Sequence, residues 1–272
     1  MRLLLTNDDG ISADGLVALE KELRSLGEIF IVAPERQQSG VSHSLTLYRP
    51  LMVRPAAHPY ATAWAVDGTP ADCVKLALVE LLDEPPDVIV SGINFGLNCG
   101  NNILYSGTLA GALEGALYGF PSFAVSLEAS RDPHWSMAAR LARRLIERIL
   151  PKHKTAPVAF NINVPSRTAT AIKGTVVTRQ EGVPWQDAFD RREDPRGRTY
   201  YWIKGTPERN YKKRPLTENG HIPTDAHAVR EGYVSVTPLQ RDLTNHHMLA
   251  DLNKLARGFP VRKKKGSGIR DQ

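Results

Sequence analysis

Cysteine is scarce: Cys73 and Cys99 are the only two in 272 residues, and no C-x-x-C pair occurs. That excludes a disulfide framework and a thiolate zinc site, and it fits a reducing, cytoplasmic setting. Long apolar runs are missing too. No stretch approaches the roughly 20 apolar residues of a membrane helix, so no membrane partner is expected. The opening MRLLLTNDDG has one basic residue and a short apolar run, then an acidic pair, with no small-residue cleavage site. It reads as a buried first strand rather than a signal peptide. Two nucleotide fingerprints are also lacking. No G-x-G-x-x-G follows the first strand, and no G-x-x-x-x-G-K-[ST] marks a nucleoside triphosphate loop.

What is present suits an α/β fold. Hydrophobic residues make up 42%, enough for one large domain or a core domain with an appendage. The net charge of +6 is uneven, with much of the excess in residues 191–214 and 262–265. A nucleic-acid partner is not expected, because the aromatics there form no RNA-binding signature. A solvated arm and a frayed terminus account for the charge.

Residues 2–6 are an apolar run, and residues 12–26 carry Leu16, Leu19, Leu23 and Leu26 at helical spacing, with Gly27 as the stop. Residues 28–33 form the next strand, so the order is strand, helix, strand: a right-handed parallel unit. A polar loop over 34–44 precedes extended segments at 46–54 and 62–66. Thr69 then caps a helix that begins at Pro70. Strands are expected at 87–91, 122–127, 158–164 and 233–237, and helices at 106–118, 137–150, 224–231 and 244–255. Between 175 and 211, short pieces such as TVVTR and TYYWIKG alternate with charged turns and read as a protruding hairpin arm.

The polar clusters fall where strands end, and ligands in open α/β sheets bind beyond the carboxyl ends of strands. Asn7-Asp8-Asp9-Gly10 follows the first strand. Two adjacent carboxylates repel unless a cation or donors compensate; the tetrapeptide alone fits a hard-metal site or a turn with a helix N-cap. Residues 38–44 (QSGVSHS) bring hydroxyls, including Ser39 and Ser42, and Gly40 for close backbone approach. Residues 91–98 (SGINFGLN) bring two amides, Asn94 and Asn98. Ser106-Gly107-Thr108 opens a helix whose free N–H groups and positive dipole end favour an anion; an ordinary Ser/Thr cap is the plainer reading. Together the clusters make a layout for one hard cation and a phosphate.

At these residues the chain resembles the SurE family of survival-protein nucleotidases. The matching motifs are LLTNDDGISADGL, VAPERQQSGVSHSLT, VDGTPADCV, SGIN-x-G-x-N, LYSGT-x-x-x-A-x-E-G and TDAHAV-x-x-GYVSVTPL, in family order over residues 1–255. The resemblance implies a Rossmann-like, mostly parallel sheet with flanking helices, a β-hairpin arm and a C-terminal segment exchanged between subunits. It implies metal ligands at Asp8, Asp9, Ser39 and Asn94, one Mg²⁺ or Mn²⁺ per subunit, and phosphate contact by Asn98 and Ser106-Gly107-Thr108. Gly40 and Ser42 join the expected substrate contacts. The expected reaction is hydrolysis of nucleoside 5'-monophosphates, with 3'-monophosphates and short polyphosphate as further family substrates. Asp8, Asp9 and Asn98 are the expected catalytic residues, and the proton acceptor is left open between Asp8 and Asp9.

This chain departs from the family at Leu97, where many members carry Pro, and at Asn101-Asn102, where acids are common. Those departures bear on substrate preference and metal affinity, not on reaction class. The expected organisation is a catalytic core over 1–165, an arm and C-terminal oligomerisation segment over 166–257, and a disordered basic tail over 258–272. The arm and closing helix are expected to pack on a neighbouring subunit, as a homodimer or homotetramer. Two rival readings exist. An aspartyl-phosphate phosphatase expects D-x-D-x-[TV], where this chain reads N-D-D-G-I. A non-catalytic nucleotide- or RNA-binding regulator would use the basic arm but leave the metal constellation unexplained.

Overall fold

The computed structural model describes residues 1–153, 158–182, 188–204, 216 and 221–256. The chain divides into two compact units, Met1–Arg241 and Asp242–Gln272. In chain order the strands are β1 (Arg2–Thr6), β2 (Glu28–Pro34), β3 (Val53–Ala56), β4 (Thr62–Val66), β5 (Val88–Phe95), β6 (Ser122–Leu127), β7 (Ala159–Val164), β8 (Gly174–Val177), β9 (Ala188–Glu193), β10 (Thr199–Lys204) and β11 (Tyr233–Leu239). The helices are α1 (Asp14–Leu23), α2 (Pro70–Leu76), α3 (Gly107–Leu117), α4 (Trp135–His153), α5 (Asp225–Arg230) and α6 (Leu249–Ala256).

All but β9 and β10 form one sheet in the order β3-β4-β2-β1-β5-β6-β7-β11-β8. Pairing is parallel except where β3 meets β4 and β11 meets β7. The chain winds outward from β1 through β2, then returns to place β5 on the other side of β1. That reversal leaves a crevice at the carboxyl ends of β1 and β5, where such sheets bind ligands. The alternation of β1 explains why it is central. Leu3 and Leu5 pack into the cluster holding Leu16, Leu19 and Leu23 of α1 and Ala142 and Ile146 of α4. Leu4 points the other way, to Cys73, Val74 and Ala77. Both faces are covered, as a parallel sheet requires. On α3, Gly107, Gly111 and Gly115 form one row against the sheet. A Cβ at Gly115 would lie 2.5 Å from Ser122 Oγ, so the missing side chains allow the close approach.

The local signals hold where they rest on capping and pattern. Thr69 caps α2 with a full capping box, its hydroxyl accepting from Asp72 N while Asp72 Oδ2 accepts from Thr69 N. The differences come from partners distant in sequence. β5 runs four residues past Ser91 because Asn94 and Phe95 pair with Ser126 and Leu127 of β6 after a register shift. Residues 46–52 are not strand; Thr46 N is taken by Asp72 instead. The TVVTR piece is not part of the arm, since Gly174–Val177 pairs in parallel with β11 and joins the main sheet. The arm itself is β9 and β10, antiparallel, with Phe189 opposite Ile203. Trp185 and the basic tail lie outside the described residues.

In the second unit a 3-10 turn, His246–Met248, leads into α6. The expected single helix over 244–255 is thus two pieces. Leu249, Leu252 and Leu255 lie at three-residue spacing along α6 and are exposed. Among the described residues, no helix is long and apolar enough to cross a membrane.

Candidate active site

A pocket of about 530 Å³ opens at the β1/β5 crevice. Asp8, Ser39, Gly40, Asn94, Asn98 and Ser106 are among its lining residues. Its other walls are Phe95, Leu97, Asn102 and Tyr105 from the segment after β5, and Phe189 and Ile203 from the arm. No Lys, Arg or His is among these lining residues.

Asp8 leaves β1 into the floor and is 4% exposed. Its Oδ1 accepts from Thr108 Oγ1 at 2.6 Å, and its carbonyl accepts from Gln38 N, which ties the 34–44 loop to the site. Burial pushes the Asp8 carboxyl up to about 6, the Asp9 charge adds to this, and the Thr108 bond opposes it. Asp9 is also raised by burial, against a bond from Phe95 N at 3.0 Å to its Oδ2. Asp9 is not among the lining residues, and its link to the pocket is this bond from Phe95 N. Asn94 Nδ2 donates to Gly96 O at 2.8 Å, so the amide end left over is the carbonyl oxygen. The Ser39 hydroxyl accepts from Gln37 Nε2.

These donors fit a hard cation. Two neighbouring carboxylates carry charge that burial penalises and no lining cation offsets, and the remaining donors, Ser39 and Asn94, are neutral oxygens. An all-oxygen set suits Mg²⁺, Mn²⁺ or Ca²⁺. Among the described residues there is no group of three or more His, Cys, Asp or Glu side chains that could hold a metal. Two carboxylates completed by neutral oxygens are therefore the arrangement on offer.

The expected phosphate contacts divide. Ser106 lines the pocket at the start of α3, its Oγ accepting from Leu109 N as the N-cap. Gly107, Thr108 and Ser42 do not line it. A Cβ at Gly107 would lie 2.8 Å from Asp8 Cβ, so what this glycine admits is Asp8. Thr108 is spent on Asp8, and Ser42 bonds Leu104 O and Tyr105 O through its Oγ and N. Asn98 lines the floor, but its Nδ2 donates to Ser126 Oγ at 2.9 Å and to Thr108 Oγ1 at 3.3 Å. The result is a chain of bonds, Asn98 to Thr108 to Asp8, that orients the carboxylate.

Three supporting residues went unrecognised in the sequence. Asn163 Oδ1 accepts from Asn98 N at 2.8 Å, and Asn161 Nδ2 and Asn163 Nδ2 donate to Asn98 O. With Ser126 they hold Asn98 on the ends of β6 and β7. The available signal was N-I-N inside a buried strand: two amides on one face of a wholly buried β7 need polar partners. A further brace runs from the site loop to α3, where His43 Nε2 meets Glu114 Oε2 at 2.7 Å and Lys75 meets Oε1 at 3.0 Å. Burial raises the Glu114 carboxyl, but these two partners outweigh it and hold it below its usual range.

A doubly covered, mostly parallel sheet with a carboxylate pair and a helix N-terminus at its switch point defines an α/β protein. The family model for survival protein SurE matches residues 3–187, and the chain belongs to that family. It is 46% identical over 260 residues to the 5'-nucleotidase SurE of Desulforudis audaxviator, covering 93% of this chain and 97% of that one. It is 44% identical over 256 residues to the 5'-nucleotidase SurE of Syntrophus aciditrophicus, covering 94% of each. The crystal structure of the SurE protein from Aquifex aeolicus superposes with a TM-score of 0.79 at 39% identity, covering 94% of this chain and all of that one.

Proposed function

We propose that this chain is a metal-dependent 5'-nucleotidase that hydrolyses nucleoside 5'-monophosphates to nucleoside and phosphate. One observation carries it: the buried Asp8 carboxylate, next in sequence to Asp9 and with no Lys, Arg or His among the lining residues, shares a pocket with Phe95, Tyr105, Phe189 and Ile203. The carboxylate suits a cation with a phosphoryl group, and the apolar and aromatic side chains suit a nucleoside. The names of the relatives point the same way.

Asp8, Asp9, Ser39 and Asn94 would hold the cation, Mg²⁺ or Mn²⁺. When bound, it supplies positive charge against the phosphoryl oxygens. Ser106 and the N-terminus of α3 receive the phosphate, where free N–H groups favour an anion. Water attacks phosphorus in line with the ester oxygen, the P–O bond to the nucleoside breaks, and the alkoxide takes a proton from solvent as it leaves. Asp8 or Asp9 takes the proton that the water loses. Asn98 acts through Thr108 to keep Asp8 in place. Phe95, Tyr105, Phe189 and Ile203 exclude water around the nucleoside. The same site would take 3'-monophosphates and short polyphosphate, which present the same terminal phosphoryl group.

The test is phosphate release from AMP with the purified full chain, before and after EDTA, and after adding back Mg²⁺ or Mn²⁺. Turnover that stops with EDTA and returns with metal is expected. AMP binding without turnover under any metal would replace this reading with the regulator, which gains no support from the site's geometry.

We also propose a cytoplasmic homo-oligomer. The arm exposes Tyr200, Tyr201 and Trp202, and a two-stranded hairpin buries little by itself. The leucine strip of α6 offers a second apolar surface. Light scattering should return a dimer or tetramer at micromolar concentration; a monomer would overturn this part.

A further inference from the structure

Asp225 lies outside the pocket, yet it joins three segments around it. Its Oδ2 accepts from Gly100 N at 2.9 Å, and its Oδ1 accepts from Glu181 N at 3.1 Å and Ala226 N at 2.8 Å. It is wholly buried. Gly100 belongs to the segment after β5 that supplies Asn102 and Tyr105 to one wall. Glu181 is the root of the arm that supplies Phe189 and Ile203 to the other.

We propose that Asp225 is a positioning residue that fixes the spacing of these two walls. In that role it sets affinity for the nucleoside part of the substrate while leaving phosphoryl transfer alone. The inference rests on the nucleotidase reading above.

Three further contacts place the link at this point. Gln180 Nε2 donates to Gly100 O at 3.0 Å, so the residues at the arm root and Asp225 hold Gly100 by both its N–H and its carbonyl. Asp225 N in turn donates to Arg179 O at 2.9 Å. The two backbones nearly touch: a Cβ on Gly100 would lie 3.2 Å from Glu181 O, and Gly100 has φ +57. The cation end is anchored separately. Asp8 hangs from β1 and Thr108, Asn94 belongs to β5, and Asn98 is clamped by Asn161, Asn163 and Ser126. A disturbance at Asp225 therefore reaches Asn102, Tyr105 and the arm before it reaches the carboxylates.

The experiment compares wild type, Asp225→Asn and Gly100→Ala, each as full chain with Mn²⁺, on AMP and on ribose 5-phosphate, with inorganic phosphate as inhibitor. An asparagine keeps one acceptor oxygen but turns its NH2 either toward Gly100 N, losing that bond, or toward Glu181 N and Ala226 N, losing both of those. For both variants KM for AMP should rise about tenfold, with kcat within about threefold. The kcat/KM for ribose 5-phosphate, which lacks the base, and the phosphate inhibition constant should stay within about twofold. If Asp225→Asn does not fold, Gln180→Ala replaces it, removing the second hold on Gly100. The proposal is overturned if KM for AMP is unchanged in both variants. It is equally overturned if AMP, ribose 5-phosphate and phosphate are all weakened in the same proportion. A wild type that binds AMP without hydrolysing it instead sinks the nucleotidase reading, which is a separate outcome.

Discussion

Asp8→Asn should cost about 10³-fold or more in kcat/KM and yet give a metal-free protein that melts at a higher temperature. Both effects come from one charge. The Asp8 carboxylate is the buried half of the pair proposed to hold the cation, and the amide keeps the shape and an acceptor for Thr108 but loses the charge. Losing a single preorganised electrostatic contact already costs about 10²–10³ in turnover, and here affinity for the cation is lost as well. The stability effect has the opposite sign. The folded pKa, about 6, lies above the ordinary 3.8, so the folded state resists ionisation. No penalty exists below pH 3.8; it grows as pH rises and is complete above about 6. At ~1.4 kcal/mol per pH unit it reaches about 3 kcal/mol. Removing it should raise the melting temperature in EDTA by several degrees near pH 8 and by less near pH 5. Wild-type Mn²⁺ affinity should be flat above pH 6 and fall about tenfold per unit below, as protons compete for Asp8. Calorimetric Mn²⁺ titration and thermal scans at the two pH values check this. Wild-type affinity that does not change between pH 5 and 7, or a variant that melts lower at pH 8, would count against the buried uncompensated charge.

Legibility in the sequence followed distance along the chain. β1, α1 and β2 were readable because their signals are local: an apolar run, leucines at helical spacing, a glycine stop. Thr69 was readable as a cap for the same reason, and β6 was placed to the residue. Asp8 and Asp9 by themselves fitted a hard-metal site or a turn with a helix N-cap, and the family resemblance is what marked them as ligands. What could not be read depends on remote partners. β8 looked like arm because the strand it pairs with, β11, comes after the arm. β5 looked short because its last pairs are supplied by Ser126 and Leu127. The family resemblance assigned the hydroxyl of Thr108 and the amide of Asn98 to phosphate. Only the folded chain shows them committed to Asp8, Ser126 and each other. Asp225 sat in a recognised motif, but nothing local reveals that it takes N–H groups from Gly100 and Glu181.

Gly107→Ala should lower kcat by about 10²-fold, and the reason it does so separates two roles for the glycine. The family resemblance put phosphate against this glycine; the structure puts Asp8 there. An added Cβ would sit 2.8 Å from Asp8 Cβ and 3.1 Å from Asp8 Oδ2, well inside van der Waals contact. Neither side can yield easily. Asp8 Cβ is fixed by the end of β1, and Gly107 opens a helix packed by Leu109 and Ala112 into a buried cluster. The carboxylate must shift by a fraction of an ångström to about 1 Å, and a displacement of that size costs about 10²-fold. If the glycine serves Asp8, Mn²⁺ affinity measured without any nucleotide should fall in the variant, and Thr108→Val, which removes the bond to Oδ1, should lower it in the same direction. If the glycine serves phosphate, Mn²⁺ affinity should hold and the inhibition constant of inorganic phosphate should rise alone. Calorimetric titration of the metal, then of phosphate onto the metal-loaded protein, distinguishes the two. An unchanged Mn²⁺ affinity in Gly107→Ala would return the glycine to the phosphate and leave Asp8 positioned by Thr108 alone.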